Sequence, residues 1–167
     1  MTNETTDLPQ WHAELLAIYL SDGHDFRGRH EKGRLHHGTR EIDQVECVAG
    51  KGLIGDRYFD FKPDFKGQVT FIDAEVIDAV REKFALPDLP AGAFRRNLVV
   101  RGVDFKNWLG KRFTFQGIEF QGSEECAPCH WMDEAAAPGV EDFLKGNCGG
   151  GLRARILTDG VLKTGNV

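Results

Sequence analysis

No stretch of the 167-residue chain supplies the roughly 20 consecutive apolar residues that a membrane-spanning helix requires, so no bilayer crossing is expected. The opening segment, Met1 to Pro9, is polar and acidic. It lacks the basic start and apolar centre of a secretory signal, and a cytoplasmic location is the expectation. Positive charge is in deficit: 21 Lys and Arg stand against 26 Asp and Glu, a net charge of −5, which argues against a general affinity for nucleic acid. Cysteine is scarce at four residues, and in a reducing compartment these are expected as thiols rather than disulfides. Repeats and low-complexity tracts are absent. What remains, 41% hydrophobic and 28% charged, describes one ordinary globular domain, read as residues 15–167 behind an N-terminal tail of residues 1–14.

Twenty glycines and many short apolar runs are present. Leu15–Leu20 reads as a buried strand, and residues 21–40, with His24, His30, His36 and His37 among basic residues, as a long solvated loop near an anion site rather than a metal site. Ile42–Val48 alternates as a half-buried strand does, placing Cys47 in the core. Gly67–Ile72 reads as a strand entering a helix capped by Asp73, with Val76, Ile77, Val80 and Phe84 as its apolar stripe and Pro87 beyond its end. Leu98–Val100 is a buried strand preceded by Arg95 and Arg96. Leu109–Phe115 and Ile118–Phe120 form a hairpin turning at Gln116-Gly117, and a short second helix spans Pro138 to Leu144. Leu152, Ala154 and Ile156 share one face of a last strand, with Arg153 and Arg155 on the other. Short strands with two helices predict a mainly β, α+β domain closed as a β-barrel. Arginines clustered locally in an acidic protein suit a small anionic ligand.

The chemistry concentrates in Ser123-Glu124-Glu125-Cys126-Ala127-Pro128-Cys129-His130-Trp131-Met132. Cys-x-x-Cys-His serves c-type haem attachment, half of a zinc site, a dithiol redox pair, or a single thiolate presented to a metal. Haem attachment would call for export. Zinc would call for a second cysteine pair, and a thioredoxin-like pair belongs after a βα unit.

The fourth use agrees with a resemblance. Gly52-Leu53-Ile54-Gly55-Asp56-Arg57, Gln68-Val69-Thr70, Phe94-Arg95-Arg96-Asn97-Leu98-Val99-Val100, Leu109-Gly110-Lys111-Arg112-Phe113, Cys126-Ala127-Pro128-Cys129 and the Gly-rich lead into Leu152-Arg153-Ala154-Arg155 follow one another as in the MOSC domain, named for the C-terminal domain of molybdenum cofactor sulfurase. The sequence resembles a stand-alone member from about Leu16 onward. The resemblance implies a β-barrel that binds molybdenum cofactor, a pterin with a dithiolene and a phosphate. Cys129 would be the catalytic cysteine, ligating molybdenum or carrying a persulfide. Arg95 and Asn97 match the family's Arg-x-Asn at the cofactor pocket, with Arg96 where relatives often have proline. Arg57, Arg153 and Arg155 are candidates for the phosphate and pterin by charge and position, and Cys126 is either a resolving thiol or packing. Two functions follow from the resemblance: reduction of N-hydroxylated small molecules with a separate electron donor, or carriage of persulfide sulfur supplied by a separate cysteine desulfurase for cofactor maturation.

Overall fold

The computed structural model describes residues 7–25 and 35–165. The part of the His-rich loop at residues 26–34, with His30, lies outside the described residues. Among the described residues, ten strands and three short α-helices follow in the order β1 (Glu14–Ser21), β2 (Thr39–Ile42), β3 (Gln44–Val48), β4 (Gly52–Leu53), β5 (Val69–Asp73), α1 (Ala74–Lys83), β6 (Leu98–Arg101), β7 (Arg112–Phe115), β8 (Ile118–Glu125), α2 (Trp131–Ala135), α3 (Val140–Leu144), β9 (Leu152–Ile156) and β10 (Gly160–Lys163).

Seven strands form one sheet in the order β2-β1-β6-β5-β9-β8-β7, and β10-β3-β4 form a second. Among the described strands, β5 and β6 are the one parallel pair. The expected closed barrel is not found: the fold is a mixed α+β one with mostly antiparallel sheets, whose end strands β2 and β7 do not pair with each other. Short strands and glycine-rich turns are common to barrels and open sheets. Closure depends on pairing between the first and last strand, which local patterning does not encode.

The central strands β1, β6 and β5 of the large sheet are buried on both faces, which explains their nearly continuous apolar runs, whereas β7, β8 and β9 alternate. Leu15, Ile18 and Leu20 of β1, Phe71 of β5 and Leu98 and Val100 of β6 pack with Val45, Cys47, Leu53 and Leu162 of the small sheet. Alternate residues Ala17, Ile72 and Val99 face the helices, meeting Ile77 and Val80 of α1, Met132 of α2 and Val140 and Leu144 of α3. Packing begins ahead of β1, where Trp11 stacks on Phe113 with ring centroids 3.8 Å apart.

Helix α1 starts where Asp73 accepts from the Glu75 N–H at 2.9 Å and ends ahead of Ala85, which is left-handed at φ 52°. The β7–β8 hairpin turns at Gln116 and Gly117, both at positive φ as a two-residue turn of this hand requires. Strands β6 and β9 both begin opposite Phe71 of β5, through the pairs with Leu98 and Leu152. The residues just before them, Arg95–Asn97 and Gly149–Gly151, therefore converge on one place.

Candidate functional site

Arg95 sits at that convergence in the left-handed region (φ 57°, ψ 33°), after a single helical turn over Ala91–Phe94. Its guanidinium is buried. Nη1 donates to the His37 carbonyl at 2.6 Å, and Nη2 donates to Ser21 Oγ and the Gly23 carbonyl, both at 2.9 Å. Asp25, whose carboxylate is fully buried, lies 3.2 Å from Nη1 and accepts the His37 N–H at 2.6 Å. Arg95 thus ties the loop after β1 to the start of β6.

Asn97 acts one layer below. Its Oδ1 accepts from both the N–H and the hydroxyl of Thr70 at 3.1 Å, and its Nδ2 donates to the Tyr19 carbonyl at 3.2 Å. One amide side chain thereby joins β1, β5 and β6 at 2% exposure.

Arg57 reaches in from the turn after β4. Its guanidinium lies 4.7 Å from the centre of the Tyr58 ring, donates to the Arg95 carbonyl at 3.3 Å and pairs with Asp56 at 3.5 Å. Arg96 turns the other way. Its Nε donates to the Gly150 carbonyl at 2.8 Å, Nη1 to the Phe94 carbonyl at 3.1 Å and Nη2 to the Cys126 carbonyl at 3.5 Å, so it holds the thiol loop against the glycine turn. Gly150 is required there, because a Cβ would strike the Cys126 carbonyl.

These four residues, Arg57, Tyr58, Arg95 and Arg96, form a wall shared by two hollows. The larger, about 120 Å³, is bounded also by His24, Phe94, Trp131, Met132 and Cys129. The smaller, about 60 Å³, is bounded by Phe65, Thr70, Cys126 and Arg153. Of the four cysteines, all free, Cys129 is the exposed one, and Cys47, Cys126 and Cys148 are buried. Burial alone would depress the Arg153 guanidinium. The Cys126 sulfur and Glu124 beside it outweigh that and hold it above its ordinary value, and Glu124 accepts from Arg153 Nη1 at 3.0 Å.

The structure therefore brings Cys129, Arg57 and Arg95 around one hollow and places Arg153 in the adjoining one. Asn97 lies beneath the wall rather than on it. Arg155 borders neither hollow and pairs with Asp64 at 2.8 Å. Arg96, Tyr58 and Trp131 were not singled out from the sequence as site residues. The signal for Arg96 was there in the second of two adjacent guanidiniums opening a buried strand, which must find acceptors. Among the described residues, no group of three or more His, Cys, Asp and Glu is arranged to hold a metal ion, so Cys126 and Cys129 gain no zinc-site companions there.

The profile of the MOSC domain family matches residues 33–167. No curated protein matches the chain in sequence. Among solved structures, the YUAD protein from Bacillus subtilis superposes with a TM-score of 0.71 at 19% identity, covering 92% of each chain. YiiM from Geobacillus stearothermophilus gives 0.67 at 18% identity over 92% of this chain and 72% of its own. YiiM from Escherichia coli gives 0.60 at 16% identity, over 92% and 65%. At these identities the likeness is one of fold.

Proposed function

The chain belongs to the MOSC domain family, and on that footing we propose that it binds molybdenum cofactor in the arginine-walled cleft and reduces N-hydroxylated small molecules with electrons from a separate donor. The observation that carries this reading is the position of Cys129: the one exposed thiol of four lies on the same hollow as three guanidiniums. That donor set fits the group. A soft thiolate suits molybdenum, and guanidiniums suit a phosphate. Cys129 would hold the metal, with Arg57, Arg96 and Arg153 toward the anionic pterin end. When bound, the cofactor would supply two-electron redox chemistry to the substrate.

The chain's own residues do the positioning. Trp131, Met132 and Phe94 are buried along one side of the hollow and keep water from that wall. Arg95 and Asn97 act through the backbone, fixing the wall that carries Arg57 and Arg96.

The test is metal and pterin analysis of protein purified without oxygen from a host that makes the cofactor, beside Cys129→Ala. Near-stoichiometric molybdenum and pterin in the wild type, with molybdenum lost in the variant, is the expected result. Absence of both from well-folded wild type would refute residence of the cofactor. A second reading is favoured by the exposure of Cys129, which lets a protein partner reach it: Cys129 accepts a persulfide from a cysteine desulfurase and passes the sulfur on.

A further inference from the structure

The four guanidiniums that border the hollows are not equally committed. Arg95 spends its N–H groups on the carbonyls of His37 and Gly23, the Ser21 hydroxyl and Asp25, and Arg96 donates from all three of its nitrogens to carbonyls. Arg153 is paired with Glu124 at 3.0 Å. Arg57 differs. Its side chain is 10% exposed, yet among the described residues its guanidinium has two hydrogen-bond partners, the Arg95 carbonyl at 3.3 Å and Asp56 at 3.5 Å, both long for a charged donor. Asp56 is held back by other bonds, since its carboxylate also accepts the Ser21 N–H at 3.1 Å and the Tyr58 N–H at 3.3 Å. A guanidinium carries five N–H donors, so Arg57 keeps binding capacity where it borders both hollows.

The closest support for that guanidinium is the ring of Tyr58, whose centre lies 4.7 Å from it. The ring is itself fixed by neighbours. Phe65 stacks on it with centroids 5.3 Å apart, and His24 and Phe61 meet it edge-on at 4.8 and 5.5 Å. Tyr58, Phe61 and Phe65 belong to neither apolar core. They sit in the turns between β4 and β5, a segment tied down at its far end, where Asp64 pairs with Arg155 at 2.8 Å and the Lys66 carbonyl accepts the Ser123 hydroxyl. A guanidinium laid on an aromatic face is held in place without spending its N–H groups. We propose that Tyr58 is a positioning residue: it holds Arg57 between the two hollows with its N–H fork unspent, so that Arg57 grips the phosphate of the bound cofactor while Arg95 and Arg96 shape the wall. This rests on the reading of the cleft as the cofactor site and divides the labour within it. Arg155, which borders neither hollow, contributes at a distance by fixing the aromatic segment.

The experiment takes full-length protein purified without oxygen from a host that makes the cofactor, dilutes it, and follows loss of pterin, read as its fluorescent oxidised product. Arg57→Met should lose pterin about thirtyfold faster than wild type, the scale of a charge-assisted contact. Tyr58→Leu should lose it about tenfold faster, the scale of a desolvated cation–π contact, and Tyr58→Phe, which keeps the ring, at the wild-type rate. The double variant separates positioning from packing: if Tyr58 acts through Arg57, Arg57→Met with Tyr58→Leu loses pterin no faster than Arg57→Met alone. A Tyr58→Leu rate equal to wild type, or effects that multiply to about three-hundredfold in the double variant, would overturn the role given to Tyr58. A second measurement depends on neither a Tyr58 variant nor the cofactor. In cofactor-free wild type the side-chain protons of Arg57, assigned by their loss in Arg57→Met, should be shifted upfield in the NMR spectrum by the Tyr58 ring, and ordinary shifts there would also overturn it. Wild type that never carries pterin would instead refute the cofactor reading, and the inference with it.

Discussion

Three buried cysteines and one exposed cysteine share the same intrinsic chemistry, so their differences come from their surroundings. Cys47, on β3 within the apolar core, has its pKa pushed up to about 12 by burial alone. Cys148 is also raised, first by burial and then by Glu125 and Asp104. At pH 8 about one Cys47 in ten thousand is thiolate, and the solvent cannot reach it. Iodoacetamide at that pH should therefore modify native protein at Cys129 first, with Cys47 and Cys148 labelled only on adding denaturant. Peptide mapping by mass spectrometry checks the order, and Cys47 labelled ahead of Cys129 in native protein would contradict the packing described. The placement of Cys47 in the core was legible from its sequence alone, since it alternates with Val45 on a strand. The contrast between Cys126 and Cys148 was not, because it depends on whether a guanidinium from β9 or the apolar core lies opposite.

At the scale of elements, what could be read was what is encoded locally. Helix α1 announced itself by its cap and its stripe, of which Ile77 and Val80 are buried, and β9 by the alternation of Leu152, Ala154 and Ile156. The strand read over Ile42–Val48 is divided, Ile42 ending β2 and Gln44 opening β3, because the chain reverses sheets at Asp43 and alternation does not report which sheet a residue joins. Strand β10 and helix α2 went unread, although the acidic pair Asp133 and Glu134 and the alanines that follow are a helix signal. Helices α2 and α3 have five residues each, too few to persist without partners. Asp133 links them: its carboxylate accepts the Glu141 N–H at 2.8 Å. That bond, followed by the amides of Gly139 and Val140, holds the Asp133 carboxyl below its ordinary value. A lowered folded pKa means the stabilisation is complete above the unfolded value of about 3.9 and disappears as pH falls through the lower, folded one. Asp133→Asn should accordingly lower the urea midpoint at pH 7, with the gap to wild type closing in strong acid. A gap that is the same at pH 7 and pH 2 would exclude the carboxylate as its source.

Across the whole molecule, the large sheet is open, and its central strands β1, β6 and β5 are covered by the small sheet on one side and by the helices on the other. Its polar interior is concentrated where loops from distant parts of the chain meet, and no local pattern announces a contact such as that of Arg95 with Ser21, 74 residues apart. Arg95 and Asp25 are the centre of that meeting, with side chains 6% and 0% exposed. A buried pair of this kind gives little net stability compared with apolar residues of the same shape, yet removing one partner leaves the other charge without its counterion. Asp25→Ala should therefore cost about 3–5 kcal/mol of unfolding free energy, measured by urea titration. Asp25→Asn, which keeps an acceptor for the His37 N–H, should cost less. The loss should also be local before it is global: amide exchange at His37, which donates to Asp25, should quicken in Asp25→Ala well below the unfolding transition, while the central strands β5 and β6 stay protected. A loss under about 1 kcal/mol with unchanged exchange at His37 would mean that the partners Arg95 keeps, among them the His37 and Gly23 carbonyls and the Ser21 hydroxyl, satisfy it, and that the cleft wall stands without its buried carboxylate.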